Sequence, residues 1–272
     1  MKIQKLSNNL RFSIIKMSNE TKSPHLASSL SCIDIIATLY KSILKIDKNN
    51  KKSDLRDRFI LSKGHAAAAL YVALEYKKII TKKELKSYAQ KGSLLEEHPS
   101  PKLAGVEAAT GSLGHGLSIG CGIALSSKIK KKKFMTYVVM SDGECNEGSV
   151  WEAAMSGAHF KLDNLFAIID RNNFQQTGTS DEIMSLNNLR EKWSSFGWNV
   201  LEVDGHNISE ILNALSSVIS DKPTALIANT IKGKGFSFSE NNNNWHHAVM
   251  TKSNYEKALE EIENSKKIND RI

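Results

Sequence analysis

Two short polar segments carry the residues best suited to chemistry. Asp142-Gly143 follows the apolar run FMTYVVM, Phe134 to Met140. Asn172-Asn173 follows LFAIID, Leu165 to Asp170, thirty positions further on. A carboxylate and an amide oxygen side by side are hard donors that suit Mg²⁺ or Ca²⁺ better than zinc. Magnesium takes few protein ligands and completes its octahedron with water and phosphate oxygens. Gly143 would let a phosphate approach the backbone, and a helix beginning near Ser149 would add its amide end to an anion site. These residues alone suggest a metal–diphosphate site. The same pairs serve equally in ordinary structure, Asp142 as a helix cap and Asn172-Asn173 as a turn, and spacing alone leaves both readings open.

A second cluster, Gly111-Ser112-Leu113-Gly114-His115-Gly116, followed by Gly120 and Gly122, opens a helical stretch through Leu125. Backbone N–H groups in such a loop cradle phosphate or a ring nitrogen, although a glycine-rich loop alone is a weak signal. The chain has 8 histidines. Four settings look like polar loops: Ser23-Pro24-His25, Ser62-Lys63-Gly64-His65, Glu97-His98-Pro99 and Trp245-His246-His247. Taken singly, each fits a surface or core histidine. Converging, they would give neutral donors and proton carriers near pH 7.

These groups need elements to position them. Leu6, Leu10, Ile14 and Met17 recur at helical spacing, so the chain is expected to open with an amphipathic helix. Ile33 to Tyr40, Ala66 to Tyr76, Trp151 to Phe160 and Ile208 to Ile219 read as further helices, as does the charged stretch from Asn254 on. Asn241 to Asn244 reads as a surface loop. Strands are expected at Phe134 to Met140, Leu165 to Asp170, Asn199 to Val203 and Thr224 to Asn229. Apolar strands separated by helices imply an α/β fold, a parallel sheet flanked by helices on both faces. Ligands of such sheets sit at the carboxyl ends of strands. A single βαβ step would then place Asp142 and Asn172 at neighbouring strand ends.

Composition sets the frame. The 272 residues are 40% hydrophobic and 24% charged, which excludes a disordered tail or fibrous repeat. With no evident linker or repeat, residues 1–272 read as one domain, within the ~250-residue reach of α/β domains. The net charge of +8 sits largely in lysine runs at 51–52 and 130–133. Without interleaved aromatic residues these read as a solvated basic face, not a nucleic-acid surface. Cys32, Cys121 and Cys145 show no CxxC spacing, which fits a reducing compartment. No stretch approaches the ~18 apolar residues of a membrane span, and a signal peptide is not expected. The expected location is cytoplasmic, with no membrane partner.

Five segments, in order, resemble the N-terminal half of transketolase in the split form where two polypeptides share the job. They are KSPHLASSLSCIDIIATLY (22–40), RDRFILSKGHAAAALY (56–71), GVEAATGSLGHGLSIGCGIAL (105–125), SDGECNEGSVWEAAMSGAHFKLDNLFAIIDRNN (141–173) and KPTALIANTIKGKG (222–235). The resemblance implies a thiamine diphosphate-binding domain and two-carbon ketol transfer from a ketose to an aldose, on sugars or sugar phosphates. It implies thiamine diphosphate with Mg²⁺ (or Ca²⁺ or Mn²⁺), the metal held by Asp142, Asn172 and the main-chain carbonyl of Phe174. The implied cofactor contacts are His65, Gly111, Ser112, Leu113, Gly114, Asp142, Gly143, Glu144, Asn172 and His246. His25, His65, His98 and His246 are the implied catalytic wall. Glu147 and Glu152 resemble the family's buried glutamates near the subunit interface.

Two positions depart from the family pattern. Ser141 stands where the turn usually starts with glycine, and His247 where a small residue usually follows His246. The resemblance also implies that the glutamate activating the cofactor, and the arginines gripping the sugar phosphate, lie in a C-terminal pyrimidine-binding region. A partner subunit is therefore expected, in a heterodimer or heterotetramer. The rival expectations are another thiamine-diphosphate enzyme (a 2-oxo acid dehydrogenase α-subunit or deoxyxylulose-phosphate synthase) and a non-catalytic cofactor-binding scaffold.

Overall fold

The structure, a computed structural model, describes residues 2–269. Its centre is a five-stranded sheet of β1 (Arg58–Leu61), β2 (Thr136–Ser141), β3 (Leu165–Arg171), β4 (Asn199–Asp204) and β5 (Thr224–Asn229). The order is β1-β2-β3-β5-β4, and every pairing is parallel.

Alternate side chains of each inner strand enter opposite cores. Tyr137, Val139, Phe166, Ile168, Leu226 and Ala228 pack on one face with the helices Ile3–Thr21, Ile33–Thr38 and Ala67–Tyr76. Val138, Met140, Ala167, Ile169, Ala225 and Ile227 pack on the other with the helices His115–Ile129, Gly148–His159 and Leu189–Ser195. Burial on both faces is why these strands read as unbroken apolar runs. Each large aliphatic side chain so enclosed contributes about 1.5–3 kcal/mol.

The expected elements form, with informative differences. Strand β1 lies outside the expected set. Its RFIL sequence is four residues long and flanked by charged Arg56-Asp57 and Lys63, too short to show a period. The helix expected over Ile33 to Tyr40 ends at Thr38 and passes into a π-helical turn, Leu39–Ile43. The helix expected to run to Ile219 ends at Leu215. The asparagine run leads into a 3₁₀ turn, Asn243–His246, which brings His246 toward the sheet. The last helix spans Lys252–Asn269. Among the described residues no helix is long and apolar enough to cross a membrane. All three cysteines are free and buried.

The parallel arrangement aims four strand ends at one place. Strand β1 runs into Ser62-Lys63-Gly64-His65, β2 into Asp142, β3 into Asn172, and β5 into Thr230 and Lys232.

Candidate functional site

A cleft of about 500 Å³ opens over these strand ends. It is lined by His25, His65, His98, Gly111, Leu113, Gly143, Asn172, Phe174 and His246 from the sequence-derived set, and by His247. Residues far apart in the chain thus meet as expected from the sheet order. Four others from that set, Asp142, Ser112, Gly114 and Glu144, are not among its lining residues. Ser112 is exposed. Gly114 and Glu144 are buried beneath the glycine loop, where Glu144 accepts hydrogen bonds from Ser62 Oγ, from Gly114 N at 2.8 Å and from Ser141 N at 3.3 Å. Glu144 therefore binds the loop to the end of β2, and burial pushes its carboxyl up. Glu147 and Glu152 are exposed in this chain. Glu147 lines the cleft at the start of the helix Gly148–His159.

Asp142 and Asn172 stand at neighbouring strand ends. Asp142 is fully buried. Its Oδ1 accepts from Gly143 N at 3.0 Å, and its Oδ2 from Asn173 N at 2.8 Å and Ser180 Oγ at 3.1 Å. Asn173 supplies that contact from a left-handed backbone, φ 60°, which asparagine tolerates. Asn172 Oδ1 accepts from Phe174 N at 3.1 Å. Burial, reinforced by nearby Asp170, pushes the Asp142 carboxyl up to about 6. Lys63 and Lys232 attract this carboxylate, yet burial and Asp170 still outweigh them, and a divalent cation would supply further countercharge. One carboxylate, one amide oxygen and one main-chain carbonyl form the hard, sparse donor set that Mg²⁺ accepts. Among the described residues no group of three or more His, Cys, Asp or Glu is placed to hold a metal ion. The residues fit a Mg²⁺–diphosphate. Ser141 continues β2 in extended register with Asp170, so the departure from glycine brings no left-handed backbone.

Backbone approach is arranged by two glycines. A Cβ on Gly64 would lie 2.6 Å from the Thr110 carbonyl carbon and 2.7 Å from Gly111 N. Gly111, at φ +134°, lies against the His98 ring and has no room for a Cβ. The loop is pinned to β1 where Thr110 Oγ1 donates to the Leu61 carbonyl at 2.7 Å.

The histidines converge. The His25 ring lies 5.4 Å from His65, 5.5 Å from His246 and 4.9 Å from His247, centroid to centroid. Burial, then the charge of neighbouring His247, lowers His25 to about 4. Burial, then Lys232, lowers His246 to about 3. Burial, then Lys63, holds His65 well below its ordinary value. All three are neutral at pH 7. Both His246 and His247 reach the cleft, so the adjacent pair lines it together.

Two lysines escaped the sequence reading. Lys63 is 1% exposed, and its Nζ lies 2.5 Å from Asp170 Oδ2. Burial opposes its charge, but Asp170, Cys32 and Asp142 together outweigh burial and the Lys63 pKa is raised. Asp170 also accepts from Ser31 Oγ and Thr230 Oγ1, each at 2.5 Å. Lys232, also 1% exposed, donates to the Gln175 carbonyl at 3.0 Å and to Asn243 Oδ1 at 2.8 Å, and lies 3.0 Å from His246 Nδ1. Burial, then Lys63, lowers it to about 8. The remaining lining residues outside the expected set include Ser28, Gln175 and Gln176. The only signal for the lysines was their place between glycines and small residues, SKGH and KGKG.

Comparison with known proteins bears on this geometry. The sequence profile of the family described as transketolase, thiamine diphosphate binding domain, matches residues 3–265. The chain belongs to that family. It is 43% identical over 251 residues to an apulose-4-phosphate transketolase subunit of Phocaeicola vulgatus, covering 92% of this chain and 89% of that one. It is 39% identical over 242 residues to the 6-deoxy-6-sulfo-D-fructose transketolase subunit of a Clostridium species, covering 88% of each. Among solved structures, transketolase of Campylobacter jejuni superposes with a TM-score of 0.88 at 30% identity, over 96% of this chain and 43% of that one. The chain thus spans most of the length of the subunit relatives and about two fifths of that transketolase. It is an N-terminal transketolase subunit with the thiamine diphosphate-binding α/β fold, and a transferase subunit by family. Nothing in the comparisons favours the dehydrogenase, synthase or scaffold readings.

Proposed function

We propose that this chain, joined by a partner subunit carrying the pyrimidine-binding domain, transfers a two-carbon ketol unit from a ketose or ketose phosphate to an aldose. Thiamine diphosphate and Mg²⁺ (or Ca²⁺ or Mn²⁺) would be held at the strand ends, the metal by Asp142, Asn172 and the carbonyl of Phe174. The observation that carries the reading is one cleft, walled by neutral histidines, that opens over the strand ends where Gly143 and Asn172 line it and Asp142 lies buried beside them. Relatives named as transketolase subunits, aligned over most of their length, support a partner and a sugar substrate bearing an anionic group, a phosphate in one name and a sulfo group in the other.

When bound, thiamine diphosphate supplies a carbon nucleophile and an electron sink. The chain's own residues do the rest. Asp142 and Asn172 offer the metal hard oxygen donors. Gly143 and Gly111 keep side chains away from the diphosphate's approach. The Lys63 and Lys232 ammonium groups raise the positive potential around an anionic ligand. His25, His65, His98 and His246 exchange hydrogen bonds and protons with substrate hydroxyls, and donors among them stabilise developing oxyanions.

The test is ketol transfer from fructose 6-phosphate to an aldose phosphate. Assays would use the purified chain alone, its copurifying partner alone, and the two combined with thiamine diphosphate and Mg²⁺. Transfer only by the mixture is expected. Full activity of the chain alone, or a mixture active on pyruvate and inert on ketoses, would overturn the proposal.

A further inference from the structure

Two adjacent histidines that line the cleft are tied to the protein through the same ring atom but by opposite kinds of partner. His25 Nδ1 lies 2.9 Å from the main-chain carbonyl of His246. A carbonyl oxygen only accepts, so His25 Nδ1 carries the proton. In the neutral ring Nε2 is then bare and accepts. His246 Nδ1 lies 3.0 Å from Lys232 Nζ. Lys232 meets three acceptors, the Gln175 carbonyl, Asn243 Oδ1 and this ring nitrogen, one for each N–H of an ammonium. An ammonium has no lone pair, so His246 Nδ1 accepts and its proton resides on Nε2.

We propose that Lys232 is a positioning residue that fixes His246 with its proton on Nε2, opposite in tautomer to His25. The cleft then offers one donor and one acceptor, on rings 5.5 Å apart. That pair matches an α-hydroxy carbonyl: His246 Nε2–H donates to the carbonyl oxygen and His25 Nε2 accepts from the adjacent hydroxyl. Two acceptor rings would leave the carbonyl oxygen without a donor, and two donor rings would leave the hydroxyl proton without an acceptor. The substrate match rests on the ketol-transfer reading, whereas the tautomers follow from hydrogen bonds within the chain.

The experiment is long-range ¹H–¹⁵N correlation of the histidine rings in the full chain at neutral pH, with no cofactor or substrate. Signals are assigned from single histidine substitutions. His25 is expected with its proton on Nδ1 and His246 with its proton on Nε2. In Lys232→Met, His246 is expected to lose its fixed tautomer and show an averaged ring, while His25 keeps its own. The wild-type spectrum is decisive even if that variant does not fold. Wild-type His246 protonated on Nδ1, or a Lys232→Met ring unchanged at His246, would overturn the proposal. Neither readout depends on ketol transfer, so the two proposals fail separately.

Discussion

Replacing Lys63 by methionine removes the one cation bonded to Asp170 while preserving much of the apolar stem. Both side chains are at most 1% exposed, and the ion pair is 2.5 Å long. The variant leaves a buried carboxylate with hydrogen bonds from Ser31 and Thr230, and with Lys232 nearby but no cation bonded to it. Breaking a buried pair in this way costs about 3–5 kcal/mol. At about 2–4 °C per kcal/mol for a chain near this size, melting should fall by about 6–20 °C. The double variant Lys63→Met/Asp170→Asn removes the stranded charge; one of the two hydroxyls can still donate to the amide oxygen while the other rotates to accept from the amide nitrogen. It should therefore recover at least half of the loss, since neutral replacement of a buried pair is often tolerated. Thermal and urea unfolding of wild type, both single variants and the double variant give the coupling energy directly. A Lys63→Met loss under about 2 °C, or a double variant as unstable as the sum of the singles, would refute the reasoning.

Other consequences are equally measurable. Gly64→Ala would drive a methyl group into the Thr110–Gly111 backbone. It should cost about 1–3 kcal/mol by urea unfolding and weaken thiamine diphosphate binding by displacing the Gly111 loop. Asp142→Asn removes the carboxylate charge and turns one of its two accepting oxygens, which receive Gly143 N, Asn173 N and Ser180 Oγ, into an amide donor. It should destabilise the metal-free chain by about 1–3 kcal/mol in urea unfolding and abolish Mg²⁺ uptake by calorimetry, and metal uptake equal to wild type would contradict the assignment. His25 and His246 are held at about 4 and about 3 in the fold, below the ordinary histidine value. Between about pH 6.5 and 4 the unfolded chain binds more protons at these rings than the fold does. Their contribution is thus fully present above about pH 6.5 and is lost as the pH falls toward 4. Urea midpoints should drop over that interval and drop less in His25→Asn. Equal slopes in the two proteins would count against burial as the cause.

Much of this was legible in the sequence because parallel-sheet strands are buried on both faces and so stand out as apolar runs. The step from Asp142 to Asn172 spans one helix and one strand, so their adjacency followed from spacing. What stayed hidden depended on contacts distant in the chain. Strand β1 is four residues long and shows no period of its own. While the lysine run at 130–133 drew the attention, Lys63 and Lys232 stayed unremarked within the SKGH and KGKG segments. Their burial follows from where β1 and β5 end. Glu144, set with the cofactor contacts, turned out to fasten the glycine loop, because its reach to Ser62 and Gly114 depends on how β1 and the loop meet. The position of Ser141 was benign for a reason no local pattern shows: β2 continues through it in register with Asp170.

The central claim is that Asp142, with its neighbour Asn172, holds a divalent cation that clamps the diphosphate of thiamine diphosphate. Isothermal titration of thiamine diphosphate into the chain assembled with its partner, in Mg²⁺ or in chelator, tests this directly. The account predicts one coenzyme bound per chain in Mg²⁺, none in chelator and none in Asp142→Ala. Uptake that is indifferent to the metal, or intact in Asp142→Ala, would contradict it.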